Sequence, residues 1–127
     1  MSLTGTSVAV MLPISDPDRA QKFYTDQLGL PFQGKNPMGE LIFRLSQDTE
    51  LVLLPRPGEK PLPSTAMSFE VEDLDGEIAD LESRGVTFED YDLPDLKTEN
   101  HIATMGDERA AWFMDPDGNI LCVHHTG

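Results

Sequence analysis

Cys122 and His124 stand two residues apart in "NILCVHH", the apolar run near the end of the sequence. Side chains alternate along a strand, so Ile120, Cys122 and His124 share one face, and Leu121, Val123 and His125 the other. The run "AMSFEV", Ala66 to Val71, alternates in the same way and puts Ala66, Ser68 and Glu70 on one face. A thiol, an imidazole and a carboxylate together suit zinc. A thiol beside an imidazole can also act as a nucleophile, because the base is needed to form thiolate. Same-face neighbours are about 6–7 Å apart along a strand, so contact between Cys122 and His124 is not automatic. Acidic surroundings also raise a thiol pKa rather than lower it. Ser68 has no obvious base or oxyanion donor in the pattern. The plainer alternative is a small buried cysteine with histidines at the strand end.

The elements that must position these side chains come in two copies. "SVAVMLPISDPDRAQKFYTDQLGLPF" and "AMSFEVEDLDGEIADLESRGVTF" each begin with an alternating strand and reach an aspartate, Asp16 or Asp73. Such a side chain accepts hydrogen bonds from the first free amides of a helix. Pro17 suits a first helical position. Ala20, Phe23, Tyr24 and Leu28 then recur at helical spacing, as do Leu74, Ile78 and Leu81. Gly29 and Gly85 supply the left-handed residue of a helix stop, and an extended stretch follows each.

Each copy continues as a hairpin. "ELIFRL" and "ELVLL" flank "SQDT"; "RAAWFM" and "NILCVHH" flank "DPDG", a strong turn sequence. "PRPGEKPLP", Pro55 to Pro63, holds four prolines and reads as a stiff linker. Leu93 to Asp107 is polar and mixed, and is expected to be a long loop and a candidate lid. The order β-α-β-β-β, twice, predicts an α+β fold of two βαβββ modules: 5–54, a linker 55–64, and 65–127. A four-stranded sheet with one helix buries one face only, so two curved mixed sheets are expected to enclose a cleft.

Composition bounds the partners. The 127 residues fit a single domain, and a charge of −14, from 23 acids against 9 Lys and Arg, argues against nucleic acid and anionic membranes. Glu70 to Glu108 carries fourteen acids and two bases, Arg84 and Lys97. That field either attracts a cationic ligand or is a solvated face tuned for solubility. One cysteine excludes an internal disulfide, no run reaches membrane-spanning length, and the N-terminus lacks a signal-peptide pattern, so the cytoplasm is expected.

With "ISDPDRAQKFYTDQLGL", "FEVEDLDGEIADLESRGV" and "AWFMDPDGNILCV" in this order, nearly the whole chain resembles the glyoxalase/bleomycin-resistance/dioxygenase, or vicinal oxygen chelate, superfamily. The resemblance implies paired βαβββ modules, a cleft lined by their concave faces, frequent homodimers, and in the enzymes a divalent metal held by His and Glu. The metal positions implied here fall on Ala9, on Val52 or Leu53, on Ala66 and on Cys122. Aliphatic side chains have no lone pair to give a divalent metal, so neither the family metal nor another cofactor is expected. Resemblance and strand parity together point Met11, Ser68, Glu70 and Trp112 toward the cleft, with Met114, Cys122 and His124. An indole, two thioethers and a carboxylate suit a flat or apolar ligand with a positive charge. Trp112 could equally fill space in a dimer contact or a small dry core. Phe113, of opposite parity, is expected under a helix with Phe69, Val71 and Leu121.

Three functions follow as expectations. The first is a metal-free protein that binds and sequesters a small molecule, cationic or aromatic, as a homodimer. The second is a divergent lyase or dioxygenase relative with an atypical metal set of Cys122, His124 and Glu70. The third is a module that binds another protein through a sheet edge or dimer face. Whether the modules pair within one chain or across a dimer is open at this point.

Overall fold

Asp16 turns the chain from strand into helix. Its carboxylate accepts the N–H groups of Asp18 at 3.1 Å and Arg19 at 3.2 Å, satisfying amides that a helix start leaves free. Pro17, with no N–H to lose, begins α1 (Pro17–Lys22) in this computed structural model, which describes residues 2–127. The spacing predicts one regular helix through Leu28. Instead the helix widens at Phe23–Gln27 into a π-helical turn, with Leu28 N–H on the Phe23 carbonyl at 3.1 Å. Phe23 and Tyr24 are adjacent in sequence yet both buried, with ring centroids 5.2 Å apart and edge to face. Phe23 packs on Tyr24 and Tyr24 on Phe43, so the local winding is set by what packs on these rings and not by their spacing alone.

The first of two compact units, 1–61, pairs this helix with four strands. They are β1 (Val8–Ile14), β2 (Phe32–Lys35), β3 (Leu41–Ser46) and β4 (Thr49–Pro55). Their order is β1-β4-β3-β2, with β1 and β4 parallel and the other pairs antiparallel. Leu12, Leu53 and Leu41 lie side by side across three strands and are all buried. Phe43 lies on the same side and meets the Tyr24 ring at 5.7 Å, which marks the helix-covered face.

The second unit, 62–127, repeats the plan. Asp73 accepts the Gly76 N–H at 3.1 Å and starts α2 (Leu74–Ser83), whose Leu74, Ile78 and Leu81 are buried. Gly85, at φ +93°, ends it; Gly85 N–H and Val86 N–H then bond the Glu82 and Leu81 carbonyls at 3.0 and 3.1 Å. The strands are β5 (Thr65–Glu70), β8 (Ala103–Met105), β9 (Glu108–Met114) and β10 (Ile120–Thr126), in the order β5-β10-β9-β8. Phe113 and Leu121 are neighbours across β9 and β10, fully buried on the helix side as expected, while Phe69 and Val71 are half-buried.

One expectation needs correction. Leu93–Asp107 is not a loop throughout. It begins in a small hairpin of β6 (Asp92–Leu93) and β7 (Leu96–Lys97), and ends in β8, the fourth strand of the sheet. The stretch after Gly85 makes only an isolated bridge, Phe88 to Phe113. A three-residue edge strand with one buried side chain, Ala103, is too short to display alternation.

"DPDGN" forms a closed turn. Asp115 Oδ1 accepts the N–H groups of Asp117 at 2.9 Å and Asn119 at 2.8 Å, and Gly118 N–H bonds the Asp115 carbonyl at 3.0 Å. Gly118, at φ +93°, takes a conformation that side chains resist.

Candidate functional site

Strand register builds the site. In the second sheet Ser68 lies beside Cys122, and Cys122 opposite Trp112. One step along, Glu70 lies beside His124, which faces Ala110; at the other end Thr65 neighbours Ile120, which faces Met114. Thr65 and Ser68 are three apart and would normally point to opposite faces. An irregularity between Ile120 and Leu121 gives β5 one extra residue, Ala66, and brings both onto the face away from α2.

The polar side chains join in a line. Ser68 Oγ lies 2.5 Å from His124 Nδ1, and His124 Nε2 lies 3.0 Å from Glu70 Oε1. The other Glu70 oxygen accepts the Thr126 N–H at 3.2 Å. A carboxylate can only accept, so it fixes the proton of a neutral imidazole on Nε2. Nδ1 is then an acceptor, and the Ser68 hydroxyl donates to it. The Cys122 thiol lies 3.5 Å from the Val123 carbonyl oxygen. Burial pushes the Cys122 thiol up; this outweighs the lowering effect of Ser68 and the Ala111 backbone, and the Glu108 charge adds to it. A buried, protonated thiol is a poor nucleophile and a poor metal ligand.

Aromatic side chains flank this line. Trp112 is half-buried; its indole N–H donates to Thr65 Oγ1 at 3.1 Å, and its ring meets Tyr91 edge to face at 5.7 Å. Burial raises the Tyr91 hydroxyl, with the charges of Glu89 and Cys122 adding to the effect. Tyr91 is a residue that sequence reasoning missed. It lies in an irregular segment where parity says nothing, though an aromatic among acids was a visible signal. Its segment is tied down: Tyr91 N–H donates to Thr98 Oγ1 at 2.9 Å, and His101 lies 3.1 Å from Asp90 and 3.3 Å from Glu82.

Of the seven residues expected at a cleft, Ser68, Glu70, Trp112, Cys122 and His124 are thus brought together, and Met114 lies one register step away, 42% exposed. Met11 belongs to the first unit, where it is 56% exposed on the face away from α1. Val52, opposite Met11, shares that face, whereas Leu53 lies on the helix side with Leu12. The register therefore selects Val52, not Leu53, at the first unit's second implied metal position. Ala9, Val52 and Ala66 carry no donor atom, and among the described residues no group of three His, Cys, Asp or Glu side chains is arranged to hold a metal ion. The donor atoms that the resemblance would call for are thus lacking at these three positions. His125, on the opposite parity, bonds the Val71 carbonyl through Nδ1 at 2.8 Å.

The model of the Glyoxalase/Bleomycin resistance protein/Dioxygenase superfamily matches residues 7–123, and the chain belongs to this superfamily. Its α+β fold, with two four-stranded mixed sheets, is that of the superfamily. The chain is 32% identical to the uncharacterized protein YraH of Bacillus subtilis (strain 168), covering 91% of this chain and 94% of that one. Among solved structures it is similar to TnmS3, an antibiotic binding protein from Streptomyces sp. CB03234, at 25% identity and TM-score 0.73, over 100% of this chain and 99% of that one. Lactoylglutathione lyase from Agrobacterium tumefaciens shares the fold, at 20% identity and TM-score 0.69, over 95% of this chain and 93% of that one. No helix among the described residues is long and apolar enough to cross a membrane.

Proposed function

We propose that this chain binds a small molecule on the Trp112 face of its second sheet, in the manner of a resistance or sequestration protein, and that it does so without a metal. The observation that carries this reading is the Trp112–Tyr91 pair, set edge to face beside a line of hydrogen-bonded polar groups. An indole braced by a phenol gives a flat ligand an aromatic wall to pack on, and Glu70 gives it a charge to meet. The net charge of −14 favours a cation. Similarity to an antibiotic binding protein supports the same class. The missing donors at Ala9, Val52 and Ala66 support a metal-free site. A cytoplasmic homodimer completes the proposal.

Trp112 is the only tryptophan, so its emission reports on the site directly. Titration with bleomycin and with proflavine, a flat cation, is expected to change that emission saturably. No change up to millimolar ligand, with calorimetry also silent, sinks the binding reading. Stoichiometric zinc, iron, manganese or nickel in tag-free protein, lost on Cys122→Ala, sinks the metal-free part.

A further inference from the structure

The line Ser68–His124–Glu70 has the connectivity of a nucleophile, its base and the group that orients the base. Ser68 and Glu70 alternate onto one face of β5, and His124 reaches both from the neighbouring strand, at 2.5 Å and 3.0 Å. Glu70 is itself held, through its second oxygen, by the Thr126 N–H at 3.2 Å. The imidazole is only partly exposed, with 20% of its side chain accessible, while Ser68 is open to solvent. A hydroxyl is a weak nucleophile until a base within hydrogen-bond reach takes its proton, and here the tautomer that can take it is the one Glu70 enforces.

We propose that Ser68 is a nucleophile that accepts an acyl group from activated esters. Ser68 Oγ attacks the acyl carbon as its proton passes to His124 Nδ1. The bond from the acyl carbon to the leaving oxygen breaks, and the imidazolium returns the proton to that oxygen. The products are an ester on Ser68 and a free alcohol or phenol. Water, deprotonated by His124, then attacks that ester, restoring the Ser68 hydroxyl and releasing the acid. Ser68 and His124 are the catalytic residues; Glu70 is a positioning residue that acts through His124. The activity is independent of whether the aromatic wall binds a drug-like ligand, since it rests on the polar line alone.

The full chain is treated with a fluorophosphonate and, separately, with p-nitrophenyl acetate, and adducts are located by intact-mass and peptide mass spectrometry. One adduct at Ser68 is expected, absent in Ser68→Ala. Its rate should fall at least about 100-fold in His124→Ala and about tenfold in Glu70→Gln. Imidazole added to His124→Ala should restore part of the rate, which a merely structural histidine would not allow. Labelling confined to lysines, or a Ser68 rate unchanged by His124→Ala, overturns the proposal. If His124→Ala does not fold, as judged by circular dichroism, His124→Gln takes its place. Ser68 labelling in the wild type at no more than the rate of free N-acetylserine overturns the proposal without any variant.

Discussion

The Asn119 side-chain amide donates to Asp115 Oδ2 at 2.7 Å, and both residues are buried, at 2% and 4% exposure. With two backbone amides on the other carboxylate oxygen, Asp115 is the hub of the turn between β9 and β10. Removing a partner of a buried charged hydrogen bond costs about 1.5–3 kcal/mol. Asp115→Ala should therefore lower the unfolding free energy measured in urea by about 3 kcal/mol, and Asn119→Ala by about 2 kcal/mol. A loss below about 0.5 kcal/mol in both would show that the turn does not depend on this carboxylate.

Trp112 is expected to carry much of the ligand affinity. Trp112→Phe keeps a ring against Tyr91 but removes the N–H donated to Thr65. It should weaken binding by about tenfold, about 1.4 kcal/mol, and Trp112→Ala should weaken it further. Competition calorimetry against the wild-type ligand measures both. Equal affinity across the three proteins would place the ligand elsewhere.

Alkaline pH should destabilise the fold in two stages. Burial raises both the Cys122 thiol and the Tyr91 hydroxyl above their ordinary values. Each group therefore holds its proton more tightly folded than unfolded, and the unfolded chain loses protons first. The stabilisation is full below about pH 8.5, where a free thiol begins to ionise, and declines as pH rises through the folded value. Tyr91 adds a second decline above about pH 10. Urea midpoints at intervals from pH 7 to 11 record the profile, and Cys122→Ala should remove the first stage while leaving the second. Wild-type stability that is flat across that range contradicts the burial of both groups.

His101 clasps the segment that carries Tyr91. It lies between Asp90 and Glu82, and adopts φ +74°, a conformation that few side chains accept. His101→Ala releases both carboxylates and should speed amide exchange from Tyr91 to Thr98 by about tenfold, with global stability changed by less than about 1 kcal/mol. Hydrogen exchange by mass spectrometry resolves the two effects. Unchanged exchange in that segment would mean that the Thr98 contacts and the β6–β7 pairing hold it without His101.

Much of this architecture is legible in the residues. The Asp16 and Asp73 caps, the glycine stops and the "DPDG" turn are local, short-range signals, and local signals survive folding. Parity also puts Ser68, Glu70, Cys122 and His124 on the correct faces of their strands. What parity cannot supply is register. Sequence reasoning gives Ser68 no base, because His124 lies 56 residues away and becomes its neighbour only when β5 and β10 pair. The π-helical turn at Phe23 and the strand Ala103–Met105 are missed for a related reason: each is decided by what packs on it rather than by its own pattern.

The extra residue at Ala66 couples chain length to chemistry. Deleting one residue there would leave the composition almost unchanged, yet the sheet would have to choose which half of β5 to keep in phase. Keeping Thr65 under the Trp112 indole would turn Ser68 and Glu70 toward α2 and swing Met67 and Phe69 out. Keeping Ser68 and Glu70 beside His124 would strip the indole of its oxygen partner. A single-residue insertion or deletion in this strand thus works as a selector between an aromatic wall and a polar relay, and a relative that differs in length here can share the fold while keeping only one of them.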